Sequence, residues 1–136
     1  MTDRHVDVWL EVDEHDATSR ADLERQVALV RAAWELFDEV QDAAPEALAK
    51  GPRGGGRDTS EIARHVVEAE RAYVRKVGVR QMPFDVHDRA LRDAMRADVL
   101  SAYLRDDPDS GWPVRYAIRR GTWHVLDHLR EIQDRS

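Results

Sequence analysis

The sequence predicts an all-α fold, a four-helix bundle, and three observations carry that reading. Four segments place apolar residues every three or four positions, the period of one helix face. Capping residues, Gly and Pro separate those segments, in the positions where helices start and stop. With 136 residues, 42% hydrophobic and 35% charged, the chain suits one globular domain with a single core. The bundle domain is assigned to residues 18–136 and an N-terminal extension to residues 1–17.

In that extension, residues 6–12 (VDVWLEV) alternate Val6, Val8, Leu10 and Val12 with Asp7, Trp9 and Glu11, a strand period. A lone strand in a helical chain has no partner within its own domain, so the segment is either a strand that pairs elsewhere or a disordered tail. The first helix follows, with Ser19 as N-cap and Asp22 as first-turn acid. Its stripe is Leu23, Val27, Val30, Trp34, Phe37 and Val40, and it ends near Asp42, with Pro45 beyond. The second helix should start at Asp58, where Asp58 and Glu61 have the spacing of a capping box. Ile62, Val66, Ala69, Tyr73 and Val77 form its stripe and Gly78 stops it. A third helix is expected from Asp85 or His87 to about Leu104, with Leu91, Ala94, Met95, Val99 and Tyr103 inward. After the turn-rich DDPDSG, Pro113 suits the first turn of a fourth helix that buries Val114, Ala117, Ile118, Val125, Leu129 and Ile132.

Composition narrows the chemistry. A net charge of −6 gives no whole-molecule attraction for nucleic acid or an anionic membrane. Arg115, Arg119 and Arg120, with Tyr116 nearby, form one small basic patch that reads as a solvated face or an ion-pairing surface rather than a nucleic-acid surface. The absence of cysteine removes disulfides, thiolate metal sites and an internal thiol nucleophile, so any thiol chemistry must use a thiol carried by a ligand. No apolar run has membrane-spanning length and the N-terminus lacks a signal-peptide pattern, which makes the cytoplasm the expected location.

The six histidines fall into two groups. His5, His15 and His87 lie in polar, acid-rich surroundings and read as surface residues. His124 and His128, in TWHVLDHLREI, are spaced i, i+4, so both rings leave one helix face a turn apart. That spacing suits two imidazole nitrogens on one metal ion. His65 sits between Ile62, Val66 and Ala69 at a depth that matches the pair if the second and fourth helices are antiparallel. The three are therefore either an open three-histidine metal site or a set of hydrogen-bonded core histidines. As ligands they would lose the ion as pH falls through about 6.5. Asp127 and Glu68 are the nearest acids in sequence that could orient the rings.

The segments GPRGGGRDTSEIARHVVEAERAYVRKVG and WPVRYAIRRGTWHVLDHLREIQDR resemble the DinB/YfiT-like superfamily, in particular an actinobacterial branch of DinB-like proteins. The resemblance covers about Asp22 to Arg135 and rests on those two segments. It implies a bundle with up-down-down-up topology and a divalent metal (Zn, Ni or Fe) held by His65, His124 and His128. It also implies metal-dependent transfer, isomerisation or hydrolysis with a low-molecular-weight thiol such as mycothiol, and a homodimer. The resemblance does not extend to the extra C-terminal domain of some mycothiol-dependent members, so their thiol-binding residues do not carry over.

The glycine-rich stretch KGPRGGGRD invites a nucleotide-binding reading, which fails on chemistry. A helix precedes it, Arg57 stands where a phosphate-binding Lys belongs, and Asp58 would oppose the phosphates. Thr59 also replaces the third glycine of a dinucleotide fingerprint. The loop reads instead as the turn that delivers the chain to the Asp58 cap, with Arg53 and Arg57 as candidates to meet an anionic ligand at the rim. The expected function is metal activation of a thiol or water for attack on a small electrophile. The alternative is a non-enzymatic, dimeric metal-binding or interaction bundle.

Overall fold

The computed structural model describes residues 19–51 and 54–136. The strand expected over residues 6–12, the domain boundary after residue 17, and Arg53 lie outside the described residues. Among those described, the chain forms four α-helices: α1 (Ser19–Ala43), α2 (Thr59–Arg75), α3 (Arg89–Arg105) and α4 (Val114–Arg135). No strand occurs among them, and no helix is long and apolar enough to cross a membrane.

Helix α1 buries Leu23, Val27, Val30, Trp34 and Phe37, with Val40 partly covered. Each such side chain contributes roughly 1.5–3 kcal/mol by leaving water. α4 packs most extensively on α1 and next on α2. Its inward residues are those the spacing predicts, joined by Gly121, where an added Cβ would stand 3.6 Å from the Tyr103 hydroxyl, and by Arg115, which is 2% exposed and pairs with Asp106 at 3.2 Å, so that member of the basic patch is not a solvated residue. Pro113 precedes α4 as its cap residue instead of lying in the first turn.

The start of α2 is held from several sides. Glu61 accepts a hydrogen bond from the Asp58 N–H (3.1 Å). The Asp58 carboxylate accepts from the Leu48 N–H (3.1 Å) and from Lys50 (2.9 Å), tying the preceding loop to the cap. The Thr59 hydroxyl donates to the Pro45 carbonyl (2.6 Å), which keeps the start of α2 beside the end of α1. The buried face of α2 is rotated from the expected stripe. Ala63, Val67, Glu70 and Val74 join Ile62 and Val66 inside, while Ala69 and Tyr73 are only half-buried, along with His65. The residues at that edge border the groove between α2 and α4.

Helix α3 departs most from expectation. It starts at Arg89 with Asp88 as its N-cap, accepting from the Leu91 N–H at 3.1 Å, and Asp85 and His87 belong to the loop. Leu91 and Ala94 are exposed, and Arg92 and Arg96 are buried beside Met95, Val99, Ala102 and Tyr103. Arg96 pairs with Asp38 of α1 at 2.8 Å and stands over the Trp34 ring at 5.4 Å. Arg92 lies 3.9 Å from the same carboxylate and donates to the Val86 carbonyl. An apolar stripe cannot announce such a face, because two of its inward residues are charged and pair with Asp38 on another helix.

Contacts at the helix ends fix their directions. Arg20 reaches the Leu104 carbonyl and Arg89 reaches Asp42, so α1 and α3 run oppositely. The Trp112 N–H donates to the Lys76 carbonyl, and Arg135 donates to the Ala49 carbonyl, so α2 and α4 also run oppositely. The connection over residues 76–88 must return along the bundle. Its thirteen residues, counted between Arg75 and Arg89, reach ~43 Å when extended, against ~26 Å for a 17-residue helix. The late start of α3 supplies that length.

Candidate metal centre

The groove between α2 and α4 brings His65, His124 and His128 together. One ring nitrogen from each falls within 4.8 Å of the others, and among the described residues this is where such a donor set forms. His65 Nε2 and His124 Nε2 are 3.2 Å apart. Ring centroids are separated by 5.0 Å (His65–His124), 4.7 Å (His65–His128) and 4.5 Å (His124–His128). All three side chains are half-buried.

Three imidazoles are donors that suit a divalent ion, and one pair of their nitrogens stands at ligand spacing. Two nitrogens each ~2.1 Å from one ion lie about 3.0 Å apart at a right angle and about 3.4 Å apart at the tetrahedral angle, and the His65–His124 separation of 3.2 Å falls between. Two of the rings are also biased toward the neutral form. Burial, with the positive potential of Arg57 and His128, lowers the His65 pKa against the opposing pull of Glu68 and Glu131. Burial, followed by His128, His65 and Arg120, lowers that of His124 to about 4. Neutral imidazoles with available lone pairs are what a metal requires.

His128 is oriented from behind. Its Nδ1 is 2.9 Å from Glu131 Oε1, and Glu131 Oε2 accepts from Arg135 at 2.7 Å. Burial works against the charge on Glu131, but the hydrogen bonds from His128 and Arg135 hold its carboxyl below the usual range. With a proton on Nδ1, the His128 lone pair sits on Nε2, and the Arg135–Glu131–His128 chain fixes the ring. Glu131 escaped the sequence reading, although it lies three residues after His128 on the same helix face. Asp127 and Glu68 are exposed, and neither carboxylate hydrogen-bonds a ring among the described residues. They act on His124 and His65 only through their field. His124 Nδ1 is buried with no hydrogen-bond partner among the described residues. Tyr73 stands edge-on to the His124 ring with centroids 5.7 Å apart and closes that flank.

The other flank opens to solvent. A cleft of about 390 Å³ is bounded by Gly56, Arg57, Glu61, His128 and Glu131. Arg57 therefore stands at the mouth of the space into which His128 faces. The glycine loop shapes this mouth by lying against the end of α4. Gly56 has φ +124°, and a Cβ there would meet the Arg135 guanidinium at 2.6 Å, so only glycine lets the loop pack at that point.

No protein-family model, curated protein or solved structure matches this chain.

Proposed function

We propose that this chain is a DinB-like bundle protein with a divalent metal centre on His65, His124 and His128, and that it acts on small electrophiles. The observation that carries the reading is the convergence of three imidazole nitrogens within 4.8 Å beside an open cleft. The opposed directions of α1 and α3, and of α2 and α4, support the up-down-down-up order, with the starts of α2 and α3 both beside the end of α1. The donor set is all-nitrogen, which suits zinc, nickel or iron(II) better than calcium or magnesium.

A bound ion supplies Lewis acidity that lowers the pKa of a thiol or a water at pH 7. The residues around it divide the remaining work. Burial keeps His65 and His124 neutral. Glu131 holds the tautomer of His128. Tyr73 excludes water from the inner flank, while Arg57 meets the anionic part of an incoming ligand at the cleft mouth. Because the chain has no cysteine, the thiol arrives as a low-molecular-weight cosubstrate of the mycothiol type.

The test is a screen of small electrophiles with and without added thiol, on metal-loaded and metal-stripped protein. Turnover that needs metal and thiol together supports thiol transfer, and turnover that needs metal alone supports hydrolysis. Arg57→Ala is expected to raise KM several-fold with metal content unchanged. Loss of metal in that variant would make the loop structural instead of a ligand contact.

A further inference from the structure

The cleft beside His128 is bounded by three charged side chains that are engaged to different degrees. Glu131 has both oxygens taken, Oε1 by His128 Nδ1 at 2.9 Å and Oε2 by Arg135 at 2.7 Å. Glu61 accepts from the Asp58 N–H at 3.1 Å through Oε1, and its Oε2 has no partner among the described residues. The Arg57 guanidinium has none among them either, although its charge is close enough to act on His65. Arg57 and Glu61 are both exposed and bound the same cleft, yet they do not pair with each other. The groups that this cleft leaves open are thus one guanidinium and one carboxylate oxygen.

We infer that the cleft takes a small molecule bearing a free α-amino-acid group, with its carboxylate on Arg57 and its ammonium on Glu61 Oε2. This deepens the reading above: it rests on the metal centre for what happens to the bound molecule, and on the cleft's own charges for what binds. A plain anion satisfies Arg57 and leaves Glu61 facing a like charge, and a plain cation does the reverse. An α-amino acid carries both charges one carbon apart and meets each with its opposite. The planar guanidinium donates two parallel N–H bonds to a carboxylate, which fixes the head of the ligand. The side chain of the ligand then extends toward His128 on the inner wall. The cleft's volume of about 390 Å³ lies at the lower end of the ~300–1,000 Å³ usual for small-molecule sites, so it suits a single amino acid or a molecule of similar size.

The test is isothermal titration calorimetry at pH 7.5 on the full chain, metal-loaded and metal-stripped, with three probes of matched shape. Norvaline carries both charges, pentanoate only the carboxylate and butylamine only the ammonium. Norvaline is expected to bind at one site with a Kd of about 1 mM, in keeping with its size, and about tenfold or more tightly than either relative. Glu61→Gln, which keeps the acceptor for the Asp58 N–H, should bring norvaline to the level of pentanoate and leave helical circular dichroism unchanged. Arg57→Ala should weaken norvaline and pentanoate together and leave butylamine as it was. A fold defect would not sort the probes by charge. Absence of saturable norvaline binding up to about 20 mM overturns the inference. So does pentanoate that binds as tightly as norvaline, or a preference for norvaline that survives Glu61→Gln. Each of these results can arise in protein that holds its metal, and a chain that holds no metal can still bind norvaline, so the two readings fail separately.

Discussion

Glu70 is a carboxyl in the wrong solvent. It lies on α2 with 4% of its surface exposed, and neither oxygen has a hydrogen-bond partner among the described residues. Burial raises its pKa from 4.5 to about 8; Arg96 opposes the rise, Asp38 adds to it and Arg92 opposes it again. Because the folded value exceeds the unfolded one, the native state binds more protons between those two pH values. Stability is therefore greatest at and below pH 4.5 as far as this group is concerned, and is lost as pH rises through 8. At 1.36 kcal/mol per pH unit, the loss accumulated by pH 7 is about 3 kcal/mol. Glu70→Gln keeps the shape and removes the titration. The variant is predicted to be more stable than wild type by about 3 kcal/mol at pH 7, an increase of about 1–2 M in the urea midpoint. The difference should shrink toward zero near pH 5. Urea melts of both proteins at pH 5, 6, 7 and 8, followed by circular dichroism, give the slope directly. A gain that does not change with pH, or a variant less stable than wild type at pH 8, would refute the reasoning and mean that Glu70 is held ionised by partners.

Two other perturbations separate support from contact. Glu131→Gln removes the charge behind His128 while keeping a hydrogen-bond acceptor, and is expected to weaken metal binding about 10- to 100-fold, read by competition with a chromophoric chelator. Gly56→Ala forces a side chain into a left-handed backbone and against Arg135; a cost of about 1–3 kcal/mol in thermal melts is expected, with metal affinity lowered through the displaced Arg135–Glu131 pair.

The fold was legible where hydrophobicity alone decides burial. The stripes of α1 and α4 could be read residue by residue, because nearly every inward position there is apolar. Helix α3 was misread because two of its inward positions are Arg92 and Arg96, whose burial depends on Asp38, a residue more than fifty positions away. Glu70 was missed for the same reason: a charge at an inward position looks polar until the helix is rotated into place. At the site, the i, i+4 pair and the matching depth of His65 predicted the convergence, because helical rise and direction suffice for that. They could not predict that Glu131, rather than Asp127, would turn toward His128. That choice rests on Arg135, which comes round to the same carboxylate one turn later. Nor could spacing give the acid limit of the proposed metal binding. The unperturbed histidine value places it near 6.5, and the burial of His65 and His124 moves the competition with protons below that.

The most direct measurement is elemental analysis of protein purified without a polyhistidine tag and equilibrated with zinc, nickel or iron(II) at pH 7.5, beside His65→Ala and His128→Ala. One equivalent of metal per wild-type chain, and less than a tenth of an equivalent in either variant, is the predicted result. Wild-type protein that retains no stoichiometric metal, or variants that retain as much as wild type, would contradict the assignment of the three histidines as the centre of this protein's chemistry.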